Sequence, residues 1–192
     1  MNRHDALKLV KPHLAEERYA HTERVTDTAI RLAKIYDESE QAVMLAAVFH
    51  DYAKYRDQKE MRKIIADSDL PNDLLAYHHE LWHGPVASLL ISKEFGIDNP
   101  DIISAIRWHT TGTINMQPID KIIYLADYIE PGRDFPGLDQ VRQFSTNNLD
   151  YACFLAVRNS ICFLLNKERL IYPDTLFMYN DLNQKLGDHK NG

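Results

Sequence analysis

The stretch Ala46-Ala47-Val48-Phe49-His50-Asp51-Tyr52-Ala53-Lys54 decides how this chain is read. Val43, Ala46, Ala47 and His50 recur at helical spacing, so the segment reads as the last turns of an apolar helix running to about Lys54. Such a helix carries a histidine and an aspartate side by side into the interior. A buried charge is costly unless it is paired or bound to a metal. Four further candidate ligands, His21, His83, His109 and Asp127, each lie near an apolar helix face elsewhere in the chain.

On the N-terminal side, Asp37 with Glu40 three residues later resembles a capping box that opens this central helix. Before it, Glu16 to Tyr36 forms a long helix whose stripe Val25, Ala29, Leu32, Tyr36 extends back one turn to His21. Asp5 to Val10 begins a short helix that Pro12 ends or kinks. On the C-terminal side, short helices are expected over Glu60 to Ala66 and Pro71 to Tyr77. After a less regular segment around His78-His79, a helix runs from Pro85 to Phe95 and stops at Gly96. Asn99-Pro100 caps the next, which carries Ile103, Ile106 and Trp108 to His109. Pro118 opens a helix through Ile119, Ile122, Ile123 and Ala126 to Asp127, closed by Pro131-Gly132. Helices near Asp139 to Ser145, Leu149 to Arg169 and Asp174 to Leu186 complete the chain. Alternating β-branched runs and internal repeats are absent. The expected fold class is all-α: a compact helical bundle forming one domain over residues 1–192.

Bulk composition narrows the function classes. A chain of 192 residues, 45% hydrophobic and 26% charged, has the make-up of a soluble globular domain with a substantial core. A formal charge of −6, with no basic recognition helix, argues against a nucleic-acid partner. A small anionic substrate stays compatible, because a bound metal inverts the local field. Cys153 and Cys162 form no CxxC pair and are expected to be buried small hydrophobes in a reducing cytoplasm. The charged N-terminus has no signal-peptide pattern. The apolar segment Tyr151 to Leu165 is broken by Arg158 and Asn159, and falls short of the ~20 residues a membrane span needs. Membrane association is therefore not expected. Phe135, Tyr172 and Phe177, if exposed, are consistent with a homodimer.

A lone histidine on an apolar face is usually a core residue, so no single ligand candidate carries weight. Their combination does. His21, His50-Asp51, His83, His109 and Asp127 recur at inward faces or helix ends, whereas His4, His13 and His189 lie in polar terminal surroundings. Nitrogen and oxygen donors without thiolate suit iron, manganese, cobalt, nickel or zinc and disfavour calcium. Six protein ligands exceed what one catalytic ion can use while keeping a position open. They suit two divalent ions sharing a carboxylate, with Asp51 beside His50 as the natural bridge. Two-metal sites activate water and stabilise the attacking and leaving oxygens of an in-line displacement at phosphorus.

His21, His50-Asp51 and Asp127 resemble the H…HD…D signature of the HD-domain metal-dependent phosphohydrolases, and His83 and His109 match its dinuclear branch. Further stretches extend the likeness: Arg18-Tyr19-x-His21-Thr22, Leu81-Trp82-His83-Gly84-Pro85-Val86, His109-Thr110-Thr111-Gly112 and Ala126-Asp127-Tyr128-Ile129-Glu130-Pro131-Gly132-Arg133. Together with the opening stretch they are similar to the YqeK-like bacterial HD proteins over nearly the whole chain. That resemblance implies symmetrical hydrolysis of diadenosine tetraphosphate to two ADP, with iron the first choice of metal. It implies one ion on His21, His50, Asp51 and Asp127, and a second on His83 and His109 with Asp51 bridging.

Cations must help an acidic protein hold a polyphosphate. Lys54, one turn past Asp51, is a candidate phosphate ligand or a surface lysine. Arg133 is a candidate for bidentate phosphate contact or for an ion pair with Glu130 or Asp134. Thr110 and Thr111 either contact phosphate or cap the helix end, and His78 and His79 read as surface or supporting residues. The rival readings are another nucleotide substrate on the same site, such as a nucleoside 5′-monophosphate or a guanosine alarmone, and a non-catalytic regulatory module.

Overall fold

The computed structural model describes residues 1–188, so His189 lies outside the described residues. Ten α-helices follow in order: α1 Arg3–Val10, α2 Glu16–Ile35, α3 Glu40–Phe49, α4 Gln58–Ala66, α5 His83–Phe95, α6 Pro100–Trp108, α7 Pro118–Ile129, α8 Leu138–Phe144, α9 Leu149–Asn166 and α10 Pro173–Asp188. Short 3-10 turns join some of them, and there is no strand among the described residues. No helix there is long and apolar enough to cross a membrane.

Helix α3 is the centre. Every residue from Ala42 to Phe49 is buried, the signature of a helix that packs on all sides. It lies against α1, α2, α6 and α7. On α2 the expected stripe Val25, Ala29 and Leu32 is fully buried and leads back to His21. Thr22 and Thr26 share that face, and their hydroxyls donate to the carbonyls of Arg18 at 3.0 Å and Thr22 at 2.8 Å. Returning a hydroxyl to the preceding turn lets threonine sit in a core without an orphaned polar atom.

Two expectations about α3 need correction. Its cap is Ser39, whose Oγ accepts from the Ala42 amide at 3.2 Å, while Asp37 sits in the left-handed region at φ 54. The chain must reverse after α2, and aspartate tolerates that conformation better than most residues, which leaves serine in the cap. The helix also ends at Phe49 rather than near Lys54. From there the backbone tightens, with Tyr52 N donating to Phe49 O and Lys54 N to Asp51 O. Successive residues of a regular helix point about 100° apart; in the tighter turn both His50 and Asp51 are fully buried.

After α4 the glycine and asparagine signals fall where expected, but α5 starts at His83 rather than Pro85 and α9 ends at Asn166 rather than Arg169. Gly96 closes α5 at φ 63, and Asn99 Oδ1 accepts from the amides of Asp101 at 2.9 Å and Ile102 at 3.3 Å to open α6. Gln117 and Asp120 form a capping box at the start of α7. Helices α5 and α6 pack together, α7 lies against α2 and α6, and α9 carries α8 and α10. Only Cys153 of the two cysteines is buried; Cys162 faces outward on α9. Tyr172 is buried as well, its ring edge-on to Tyr77 at 5.0 Å, and Phe135 packs against Tyr128. Of the three aromatics expected outside, Phe177 alone is exposed.

Candidate metal centre

Five helices deliver six candidate ligands to one place, five of them at or near helix ends. His50 caps the C-terminus of α3 and Asp51 follows it; His83 is the first residue of α5; His109 caps the C-terminus of α6; Asp127 lies in the last turn of α7; His21 lies in the second turn of α2. The four histidines and Asp51 are all buried, and the Asp127 side chain is 18% exposed.

The outer nitrogen of every ring is held by an acceptor. Nδ1 lies 2.6 Å from Ala47 O for His50, 2.7 Å from Glu80 O for His83 and 2.7 Å from Ile106 O for His109. For His21 it lies 3.0 Å from Glu130 Oε1. Acceptors on that side place the proton on Nδ1 and leave the Nε2 lone pair facing inward. Those lone pairs converge: His83 Nε2 stands 2.9 Å from His109 Nε2 and 3.1 Å from Asp51 Oδ1. His50 Nε2 stands 2.9 Å from Asp51 Oδ2, and His21 Nε2 lies 3.0 Å from Asp127 Oδ1 and 3.8 Å from Asp51 Oδ2. His21 Nε2, His50 Nε2 and Asp51 Oδ1 are buried without a hydrogen-bond partner.

Facing lone pairs and orphaned acceptors are what a cation resolves, so the donor set fits divalent metal. Donor atoms of His21, His50 and Asp127 lie within 4.8 Å of one another, as do those of His50, Asp51 and His109, with His50 common to both groups. Asp51 turns Oδ2 toward His50 and His21 and Oδ1 toward His83, one oxygen to each half.

The electrostatics agree with that chemistry. Burial works against the charge on Asp51, yet His50 and His83 beside it hold the carboxyl well below the usual carboxylate range. Asp127 is held down in the same way against burial, chiefly by His21. Burial, reinforced by His83 and His50, pushes His109 well below an ordinary histidine, toward the neutral form that ligates metal.

Two participants were not singled out from sequence. Arg18 Nε donates to Asp51 Oδ2 from a largely buried side chain, and Glu130 anchors His21. Both stand three residues from a ligand, Arg18 before His21 and Glu130 after Asp127, so helical spacing held the signal. Lys54 pairs with Glu80 at 2.5 Å next to His83, and Arg133 binds the Asp127 carboxylate at 2.7 Å and its backbone carbonyl at 3.1 Å. Thr110 Oγ1 lies 3.0 Å from His109 Nε2. Thr111 is buried, donates to Gly112 O at 2.9 Å and lines a small cavity with Arg107 and Tyr172. His78 and His79 stack on each other at 4.4 Å and belong to neither donor group.

Glycine at position 84 is a matter of space. A Cβ there would stand 3.0 Å from Ile106 O, 3.1 Å from Arg107 O and 3.1 Å from His109 Cε1. Those atoms are backbone and a ligand ring, which give little. Gly84→Ala is expected to cost about 1–3 kcal/mol as overpacking, roughly 2–4 °C in melting midpoint per kcal/mol. Metal affinity should fall alongside it. An unchanged midpoint and metal content would show that α5 and α6 separate freely.

Glu130 yields a pH prediction. Burial raises its carboxyl, but Arg24, His21 and the Gly132 amide together bring it from the ordinary 4.5 to about 2. A depressed carboxylate contributes stability that is full above the ordinary value and is lost as pH falls toward the folded one. Denaturant titrations of metal-free protein between about pH 4.5 and 2 should show stability falling. In Glu130→Gln the slope should be shallower by up to about 1.4 kcal/mol per pH unit; identical slopes would mean that Glu130 is not ionised in the folded state.

Comparison with known proteins bears on the same residues. A family model described as HD domain matches residues 18–132, which span His21 through Asp127. The symmetrical bis(5′-nucleosyl)-tetraphosphatase of Halalkalibacterium halodurans is 51% identical over 95% of this chain and 97% of that protein. Its Bacillus subtilis counterpart is 45% identical over 94% of this chain and 97% of its own length. A Clostridium acetobutylicum crystal structure, described as a predicted HD superfamily hydrolase involved in NAD metabolism, superposes with a TM-score of 0.91. It is 34% identical and covers 96% of this chain and 98% of its own.

Proposed function

Because this chain belongs to the HD-domain family, we propose that it is a metal-dependent hydrolase that splits diadenosine tetraphosphate symmetrically into two ADP. The observation that carries the chemistry is the convergence of four imidazole Nε2 atoms and two carboxylates, with Asp51 offering one oxygen to each half. Support for the substrate comes from relatives at 51% and 45% identity, named symmetrical bis(5′-nucleosyl)-tetraphosphatases and matched over nearly their full length.

In this reading His21, His50, Asp51 and Asp127 hold one divalent ion, and His83 and His109, with Asp51 shared, hold another. Iron is the first choice; manganese, cobalt, nickel and zinc suit the same donors. Bound there, such ions supply Lewis acidity that lowers the pKa of water and offsets charge on phosphoryl oxygens. Arg18 holds Asp51 by Oδ2 and so keeps Oδ1 turned toward His83. Lys54 sits by Glu80 at the His83 end, and Arg133 sits by Asp127 at the His21 end. Exchanging those carboxylates for phosphate oxygens gives a polyphosphate one cation at each end of the donor cluster. Thr110, beside His109 Nε2, offers a hydroxyl to the same oxygens. ADP departs as a phosphate-terminated anion, so no strong general acid is required. Two free cysteines support a reducing cytoplasm as its compartment.

The test is product analysis of metal-loaded protein with diadenosine tetraphosphate. Two ADP per substrate are expected. ATP plus AMP would refute symmetrical cleavage, and no cleavage with metal bound would transfer the site to another nucleotide.

A further inference from the structure

We infer that Glu130, gripped by Arg24, is a positioning residue that makes the His21–Asp127 half of the centre the tighter of its two metal positions. This rests on the two-ion reading above. Among the four ligand histidines, three direct Nδ1 to a backbone carbonyl and His21 alone directs it to a carboxylate. Glu130 is 1% exposed and fully engaged. Its Oε2 accepts from Arg24 Nε at 2.6 Å and the Gly132 amide at 2.6 Å; its Oε1 meets His21 Nδ1 at 3.0 Å and Arg24 Nη2 at 3.4 Å.

The local sequence is built around that grip. Glu130 comes three residues after Asp127, so one segment supplies a ligand and also anchors a second ligand across on α2. Gly132 leaves the room: a Cβ there would stand 2.6 Å from Arg24 Nη2 and 2.7 Å from its Nε. Arg24 itself lies one turn beyond His21 on α2, closing the circuit.

The chemistry follows. An imidazole hydrogen-bonded to a carboxylate is fixed in orientation and is a more basic donor than one bonded to a neutral carbonyl. The same half also has more carboxylate donors, Asp127 and Asp51 Oδ2, each also paired to an arginine, against Asp51 Oδ1 alone for the other. The two positions are therefore unequal by construction.

The experiment titrates metal-free full-length protein with cobalt(II), following d–d absorption and heat together. Wild type should fill in two steps. Glu130→Gln keeps the acceptor and removes the charge; its tighter step should weaken about 10–100-fold with the weaker step unmoved. Arg24→Gln should weaken the same step, and Arg24→Lys should recover most of it. Because Arg24 is partly exposed, its variants decide the matter if Glu130→Gln melts early. Two wild-type steps that Glu130→Gln and Arg24→Gln leave unchanged, or weaken equally, overturn this inference and spare the two-ion reading. A wild-type protein that takes up no cobalt overturns both.

Discussion

Asp51→Asn is expected to lower turnover of diadenosine tetraphosphate by at least about a thousandfold, ~4 kcal/mol of transition-state stabilisation. The reason is position. Asp51 is fully buried, faces His83 with one oxygen and His50 and His21 with the other, and is the one carboxylate that reaches both halves. Asparagine keeps the shape and one acceptor for Arg18 but removes the charge, so one half loses its anionic ligand. Asp51→Ala is the poorer experiment, because a largely buried Arg18 would then face no partner. Stranding one member of a buried ion pair costs about 3–5 kcal/mol, and lost activity would then be confused with lost fold. Steady-state kinetics of the asparagine variant, with its metal content and melting midpoint, separate the two effects. Turnover within tenfold of wild type would remove Asp51 from the bridging position.

Metal removal should have an effect as large. Chelation is expected to abolish hydrolysis, and manganese or iron to restore it. Stability should follow. Without a cation the interior holds His83 Nε2 and His109 Nε2 at 2.9 Å, with His21 Nε2, His50 Nε2 and Asp51 Oδ1 unpartnered. A ligand present at a hundred times its dissociation constant stabilises the folded state by about 2.7 kcal/mol. Two such ions give about 5 kcal/mol, or about 10–20 °C at 2–4 °C per kcal/mol for a chain of this size. Calorimetry of loaded and stripped protein measures the difference. Coincident melting curves would mean that the cluster is a hydrogen-bonded core and not a metal site.

Much of this was legible beforehand, and the exceptions have physical causes. Period-3.6 spacing located α2, α3 and α7, because each buries a continuous apolar face. The candidate ligands that the helices bring together were visible because histidine and aspartate stand out on such faces. The hold of Arg18 on Asp51 and of Glu130 on His21 was missed because surface ion pairs are common in any sequence; burial, which only the packed helices reveal, gives these two their roles. The overlong α3 arose from treating Tyr52 and Ala53 as helical apolar residues, when they are buried in a tightened turn. Thr111 was grouped with Thr110 by adjacency alone, yet in the turn after α6 neighbouring side chains diverge. Tyr172 was expected outside together with Phe135 and Phe177; ring contact with Tyr77 draws it in.

Anomalous diffraction from crystals grown with manganese tests the two-ion centre most directly. Two peaks per chain are expected, with His21 and Asp127 on one, His83 and His109 on the other, and an Asp51 oxygen on each. A single peak, or two peaks with Asp51 bound to neither, would contradict it.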